Sequence, residues 1–138
     1  MGVEIAALIT WVLAAIAGAY LLVSSLANGG SRWQATKVTR FPVMLTISHL
    51  LLGAAGLVMW VFFLITMRAM YAWAAFGSLV VVALLGFVML TRWLVGRGGR
   101  HARGAEQEVP IVAVMLHGGV AIMTFVLVLF VALAVGHV

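Results

Sequence analysis

Four long apolar runs, separated by shorter polar segments, divide the chain. They cover roughly residues 5–27, 42–66, 72–95 and 110–136. Each has the length of about 20 residues that a helix needs to cross the hydrocarbon core of a bilayer. The runs are continuously apolar and do not alternate as the strands of a membrane barrel would, so they predict spanning helices. We therefore expect an all-α membrane protein: one domain, residues 1–138, folded as a four-transmembrane-helix up-down bundle.

The composition agrees with this pattern. Hydrophobic residues make up 66% of the chain and charged residues 8%, whereas soluble domains carry about 25% charged residues. A water-soluble globule is therefore excluded. The chain has no cysteine, which excludes disulfides, thiolate metal sites and iron–sulfur clusters. The first run lacks a basic start and carries Glu4, so we do not expect it to be a cleavable signal peptide.

Positive charge is concentrated in the two long connections, residues 28–41 and 92–109. The short connection between the second and third runs holds Arg68 alone. The positive-inside rule then predicts cytoplasmic long loops and external termini, in a bacterial plasma membrane. The apolar runs predict contact with membrane lipid. Because the basic loops serve as topology signals, we expect no nucleic-acid binding. The expected interfacial aromatics are Trp33 and Trp93 on the inner side, and Tyr71 and Trp73 on the outer side.

An internal repeat relates the two halves of the chain. Shifting the sequence by 68 residues aligns Pro42 with Pro110 and His49 with His117, so that PVMLTISH matches PIVAVMLH. Both residue types are scarce in this chain, so the match is informative. The sequence predicts a tandem two-helix repeat, with boundaries at about 1–68 and 69–138. Because each half spans twice, a pseudo-two-fold axis along the membrane normal should relate the halves.

The repeat places two histidines and two glycines at nearly one depth. The prolines suit the first turn of a helix, which puts His49 and His117 about 10 Å inside their helix starts. Gly18 and Gly86 lie about 14 Å from the same side of the membrane. An ionisable residue inside a membrane suggests a function. The alternative is that each histidine is neutral and only hydrogen-bonds across helices.

This layer could hold one haem. In an up-down bundle the second and fourth helices are diagonal, about 11–14 Å apart, which suits two imidazoles reaching one iron. Gly18 and Gly86 would then clear space for the porphyrin edges, or else allow plain close packing of helices. The haem propionates would face the cytoplasmic side. Candidates to neutralise them are Arg32, Arg40, Arg97 and Arg100, unless these residues act as topology signals alone.

In this layout the chain resembles b-type membrane cytochromes that use two histidines from two helices. The resemblance covers the architecture and His49 and His117 only. It implies haem b and electron transfer between a quinol or quinone and a partner, which would be another protein subunit or a second copy of this chain. The loops are small, so an electron-transfer or anchor subunit of a redox complex is a better expectation than an enzyme acting alone.

Two other functions stay open at this point. Each histidine could instead ligate the magnesium of its own chlorophyll-type pigment. The chain could also be a cofactor-free membrane scaffold subunit whose histidines only pack. The visible spectrum distinguishes the three.

Overall fold

The computed structural model describes residues 2–27, 43–97 and 110–136, and these ranges hold four long helices. They are α1 Gly2–Ser25, α2 Val43–Thr66, α3 Ala69–Arg97 and α4 Ile111–Gly136. The described residues contain no strand, which confirms the expected all-α bundle. Along a helix the backbone N–H and C=O groups pair with each other, as an apolar solvent requires. All four are long and apolar enough to cross a membrane, consistent with an integral membrane protein.

A two-residue turn joins α2 to α3. Met67 has a positive φ of 54°, the left-handed conformation that commonly ends a helix and that glycine adopts most easily. Its N–H donates to the carbonyl of Phe63 at 2.7 Å. The next helix begins within two residues, so α2 and α3 are antiparallel neighbours, as the short connection predicts.

Helix packing follows a ring in the order α1, α2, α3, α4. The tightest neighbours are α2 with α3 and α4 with α1, whereas α3–α4 and especially α1–α2 meet less closely. Within the described ranges no Cα atoms of α2 and α4 approach within 8 Å, and the same holds for α1 and α3. The histidine-bearing helices are therefore diagonal, as predicted. The bundle consists of two tight pairs, and each pair joins one helix from each repeat.

The two ends of the bundle differ in packing. We call the end that carries Gly2, the Met67 turn and Gly136 the turn end, and the end where α2 and α4 start the loop end. Ten buried apolar residues form one core cluster, and all of them lie in the turn-end half. They are Ala7, Trp11, Trp60, Phe63, Ala72, Ala75, Leu79, Val128, Val131 and Ala132.

One expected interfacial aromatic faces the bundle interior. Trp93 is only 3% exposed and lies four residues before the loop end of α3, so its place at the membrane interface stays a prediction. It follows Gly86 by seven residues, which is two helical turns, so it shares the interior face of α3. Trp73, by contrast, is 41% exposed at the turn end. Trp33 lies outside the described residues.

Candidate functional site

The side chains of His49 and His117 meet inside the bundle, two turns from the loop-end starts of α2 and α4. Their ring centroids are 6.3 Å apart and their planes are inclined at 60°. They come from diagonal helices, so the two rings bridge the space between the two tight helix pairs. The structure thus brings together the two histidines that the repeat singles out.

A backbone carbonyl holds each imidazole in place. His49 Nδ1 lies 3.1 Å from the carbonyl oxygen of Val82, and His117 Nδ1 lies 2.9 Å from that of Ala14. A carbonyl can only accept, so Nδ1 carries the proton in both rings. In a neutral imidazole this leaves Nε2 with a free lone pair. Neither Nε2 makes a hydrogen bond among the described residues.

The two glycines lie directly beside the imidazoles. A Cβ atom built on Gly86 would lie 3.1 Å from His49 Cε1, and one on Gly18 would lie 3.1 Å from His117 Cε1. Such contacts are tight, because aliphatic carbons normally approach to about 3.5 Å. Glycine therefore lets each ring approach the neighbouring helix and reach its carbonyl. The four predicted residues occupy one layer, and clearance for a porphyrin stays a prediction.

The internal repeat relates these contacts residue by residue. Adding 68 to Ala14, Gly18 and His49 gives Val82, Gly86 and His117. The donor, the acceptor and the glycine under the ring therefore all follow the pseudo-two-fold axis. The two hydrogen bonds match each other under the 68-residue shift, and so do the two ring contacts. These contacts support the repeat independently of the sequence match. Sequence reasoning missed the carbonyl acceptors because a backbone acceptor leaves no residue-type signal.

In its neutral form, the pair offers a metal two imidazole nitrogen ligands. Imidazole nitrogen suits iron, copper, zinc and nickel. Ligating histidines usually donate their other ring N–H to a carbonyl or carboxylate, which fixes the tautomer, and both rings here have that arrangement. The described residues hold no group of three or more candidate metal-ligating side chains. A metal in this site would therefore need most of its ligands from another molecule, as the iron of a macrocycle does.

The expected arginine partners are not placed by this structure. Arg32, Arg40 and Arg100 lie outside the described residues. Arg97 is the last residue of α3, and its side chain lies outside the described part. Their predicted role at the loop end stays a prediction.

An apolar groove opens sideways between α1 and α4, beside the histidine layer. Its volume is about 500 Å³. Ala17 and Leu116, which precede Gly18 and His117 in the chain, are among its lining residues, and the phenol of Tyr20 lies toward the loop end.

No protein-family model, curated protein or solved structure is significantly similar to this chain.

Proposed function

We propose that the protein is a b-type haem-binding electron-transfer subunit of a membrane redox complex. One haem would be ligated by His49 and His117 from α2 and α4. The observation that carries the proposal is the symmetric histidine pair, with both Nδ1–H groups donating to carbonyls and both Nε2 atoms free to ligate. Haem would supply a one-electron redox centre, and the chain would hold it and exclude water.

The separation of the rings fits one metal ion. A metal–imidazole bond is about 2.0 Å, and the ring centre lies about 1.1 Å beyond the nitrogen. Two imidazoles on opposite sides of one metal thus have centroids about 6 Å apart, close to the 6.3 Å of the pair. Two stacked pigments, each with its own magnesium, would add about 3.5 Å for the contact between macrocycles. The spacing therefore supports one shared metal over two stacked pigments, and room for a macrocycle between the rings stays a prediction.

A visible spectrum of the purified protein tests the proposal. Protein expressed with a haem precursor should show a low-spin Soret band, and dithionite should sharpen its α and β bands. Replacing either His49 or His117 by Ala should remove or convert this spectrum, and the double replacement should add little because the two act as a unit. His101→Ala, in a connecting segment, is the matched control. A protein that binds no haem, or an unchanged spectrum in either single variant, would contradict the proposal.

A cofactor-free scaffold is the second candidate. It is supported by the same two hydrogen bonds, because each already joins two helices and satisfies a polar group in an apolar interior. Such a scaffold predicts a colourless protein. Replacing one histidine by Gln would then lower stability only modestly, about 1 kcal/mol.

We propose external termini and cytoplasmic long connections, in a bacterial plasma membrane. The support is the distribution of basic residues, seven in the long connections against Arg68 in the turn between α2 and α3. Haem propionates would then face the cytoplasmic loop end, toward Arg32, Arg40, Arg97 and Arg100. Cysteines introduced at Ser31 and Ala102 should resist an impermeant thiol reagent applied to intact cells. Labelling of both from outside would reverse the orientation.

A quinol or quinone is the redox partner that we propose within the membrane, alongside a partner subunit or a second copy of the chain. The groove between α1 and α4 supports this, since it opens sideways and lies beside the layer of His117. The repeat mate of Ala17 is Leu85, so Ala17→Leu gives one side of the bundle the residue of the other. This variant should slow haem reduction by a quinol while leaving reduction by dithionite unchanged. Equal rates with quinol would exclude the groove.

A further inference from the structure

We infer that the haem-free chain binds one Cu(I) ion between His49 and His117. The inference goes beyond the proposed function and does not rest on it, because this ion needs no macrocycle. A haem would use the same two Nε2 atoms, so one chain would hold either the haem or the ion. The state of the two rings, their separation, the number of ligands and the charge around them all point to this ion.

Both rings are already in the state that a metal ligand requires. Each Nδ1–H donates to a backbone carbonyl, that of Val82 for His49 and that of Ala14 for His117. This arrangement fixes the tautomer, and ligating histidines usually adopt it. Neither Nε2 has a hydrogen-bond partner among the described residues. Two basic nitrogens are therefore left for a ligand.

The separation of the rings suits a single ion, and open space adjoins them. A metal–nitrogen bond of about 2.0 Å puts the centroids of two opposed imidazoles about 6 Å apart, and the observed separation is 6.3 Å. Both histidines are half-buried, so neither ring is sealed off. A Cβ atom built on Gly53, one turn from His49 on the same face of α2, would meet nothing within 4 Å. A bare ion needs only the space of one atom.

The number of ligands selects the kind of ion. The described residues hold no group of three or more His, Cys, Asp or Glu side chains that could share a metal. Zinc sites in proteins almost always have four ligands, which this layer does not provide. Cu(I) has a filled d shell and forms stable complexes with two nitrogen ligands in a line, and imidazole suits copper. The two histidines are therefore a complete ligand set for Cu(I).

The charge around the pair selects a monovalent ion as well. Among the described residues the only side-chain carboxylate is that of Glu4. It precedes Gly18 by fourteen residues on α1, which is about 21 Å along the helix. The cost of placing an ion in an apolar interior grows with the square of its charge, so a divalent ion costs about four times as much as a monovalent one. The site therefore favours Cu(I) over Zn(II) and Cu(II).

Titration of the purified, haem-free, full-length protein in detergent tests the inference. Ascorbate under nitrogen keeps the copper as Cu(I), and bicinchoninate, a coloured chelator of Cu(I), competes for it. The parent should bind one Cu(I) per chain, and X-ray absorption should show two short Cu–N bonds. His49→Ala or His117→Ala should weaken binding by at least about a hundredfold, because each removes one of only two ligands. His101→Ala, in a connecting segment, is the matched control and should bind as the parent does. Zn(II) should show no binding that depends on either histidine.

A parent that binds no Cu(I), or an affinity that either alanine variant leaves unchanged, would overturn the inference, as would Zn(II) binding through the same two residues. Should an alanine variant not fold by circular dichroism, His49→Gln and His117→Gln keep the test valid. Glutamine can still donate to the carbonyl but has no imidazole nitrogen, so affinity should fall as for alanine, and parent-like affinity would overturn the inference. Haem binding by a parent that takes no Cu(I) would overturn this inference alone. Cu(I) binding by a parent that takes no haem would overturn the proposed function alone.

Discussion

The two halves of the bundle use the same repeat in different ways. In the histidine layer, mated positions carry the same side chains, His49 with His117 and Gly18 with Gly86. In the turn-end core, the bulky buried positions differ between mates: Trp60 pairs with Val128 and Phe63 with Val131, while the small pair Ala7 and Ala75 is identical. Core packing therefore tolerates different shapes at mated positions. The histidine layer keeps an ionisable residue at both mated positions, which filling space alone does not require.

The largest effect should come from emptying the turn-end core. Trp60 is fully buried, packs on Phe63 at 5.0 Å between ring centroids, and donates from Nε1 to the carbonyl of Glu4. Trp60→Ala should lower the free energy of unfolding by about 3–5 kcal/mol, measured by steric trapping in bicelles. If the turn-end core and the histidine layer are as separate as their packing suggests, the visible spectrum of the proposed haem should survive. Loss of that spectrum in a fully folded variant would show that the turn-end core and the histidine layer are not independent.

The converse change acts on the histidine layer alone. Gly86→Leu places a bulky side chain where His49 packs, so the ring must leave the Val82 carbonyl, at a cost of about 2–3 kcal/mol. Gly77→Leu is the control, because a Cβ atom there has no contact within 4 Å. Under the proposed function, haem content per folded protein should fall for Gly86→Leu and hold for Gly77→Leu. Equal haem content in the two variants would mean that the glycine does not serve the site.

Gly56 lies where the turn-end core meets the histidine layer, and replacing it should have an effect of intermediate size on stability. A Cβ atom on Gly56 would lie 2.9 Å from both Trp11 Cζ2 and Ser78 Oγ, whereas one on Gly53 meets nothing. Ser78 Oγ also donates to the Leu52 carbonyl at 2.7 Å and is held there. Gly56→Ala should cost about 1–2 kcal/mol, and Gly53→Ala should cost nothing. Thermal unfolding of the two variants measures the difference. Equal unfolding midpoints would show that Trp11 and Ser78 move aside for the added methyl group.

The smallest effect concerns the turn between α2 and α3, at the edge of the turn-end core and far from the histidine layer. Met67 adopts a positive φ that glycine adopts without steric cost. Met67→Gly should stabilise the protein by up to about 1 kcal/mol. Haem content should not change. A destabilised variant would indicate that the Met67 side chain contributes more by contact than its backbone costs.

The sequence predicts the helices and the site layer well, and the helix pairing poorly. The apolar runs locate every helix to within three residues at the described ends, because the spanning length is a strong constraint. The shared Pro–His spacing places the four site residues together. The tight pairs could not be predicted, since the helices are apolar on all sides and periodicity marks no interior face. The burial of Trp93 could not be predicted for the same reason, because it depends on how the helices pack.

The pairing of α1 with α4 has a consequence for how the chain is made. Helices enter the membrane in order from the ribosome, so α2 and α3 can pair as soon as the Met67 turn has formed. The close partner of α1 is α4, which follows α2 and α3 in the chain, and His117 reaches the Ala14 carbonyl only once α4 is present. Until that moment one half of the site is missing and α1 has only its loose contact with α2. Assembly of the histidine pair thus waits for α4, and a chain that stops before α4 leaves α1 without its close partner.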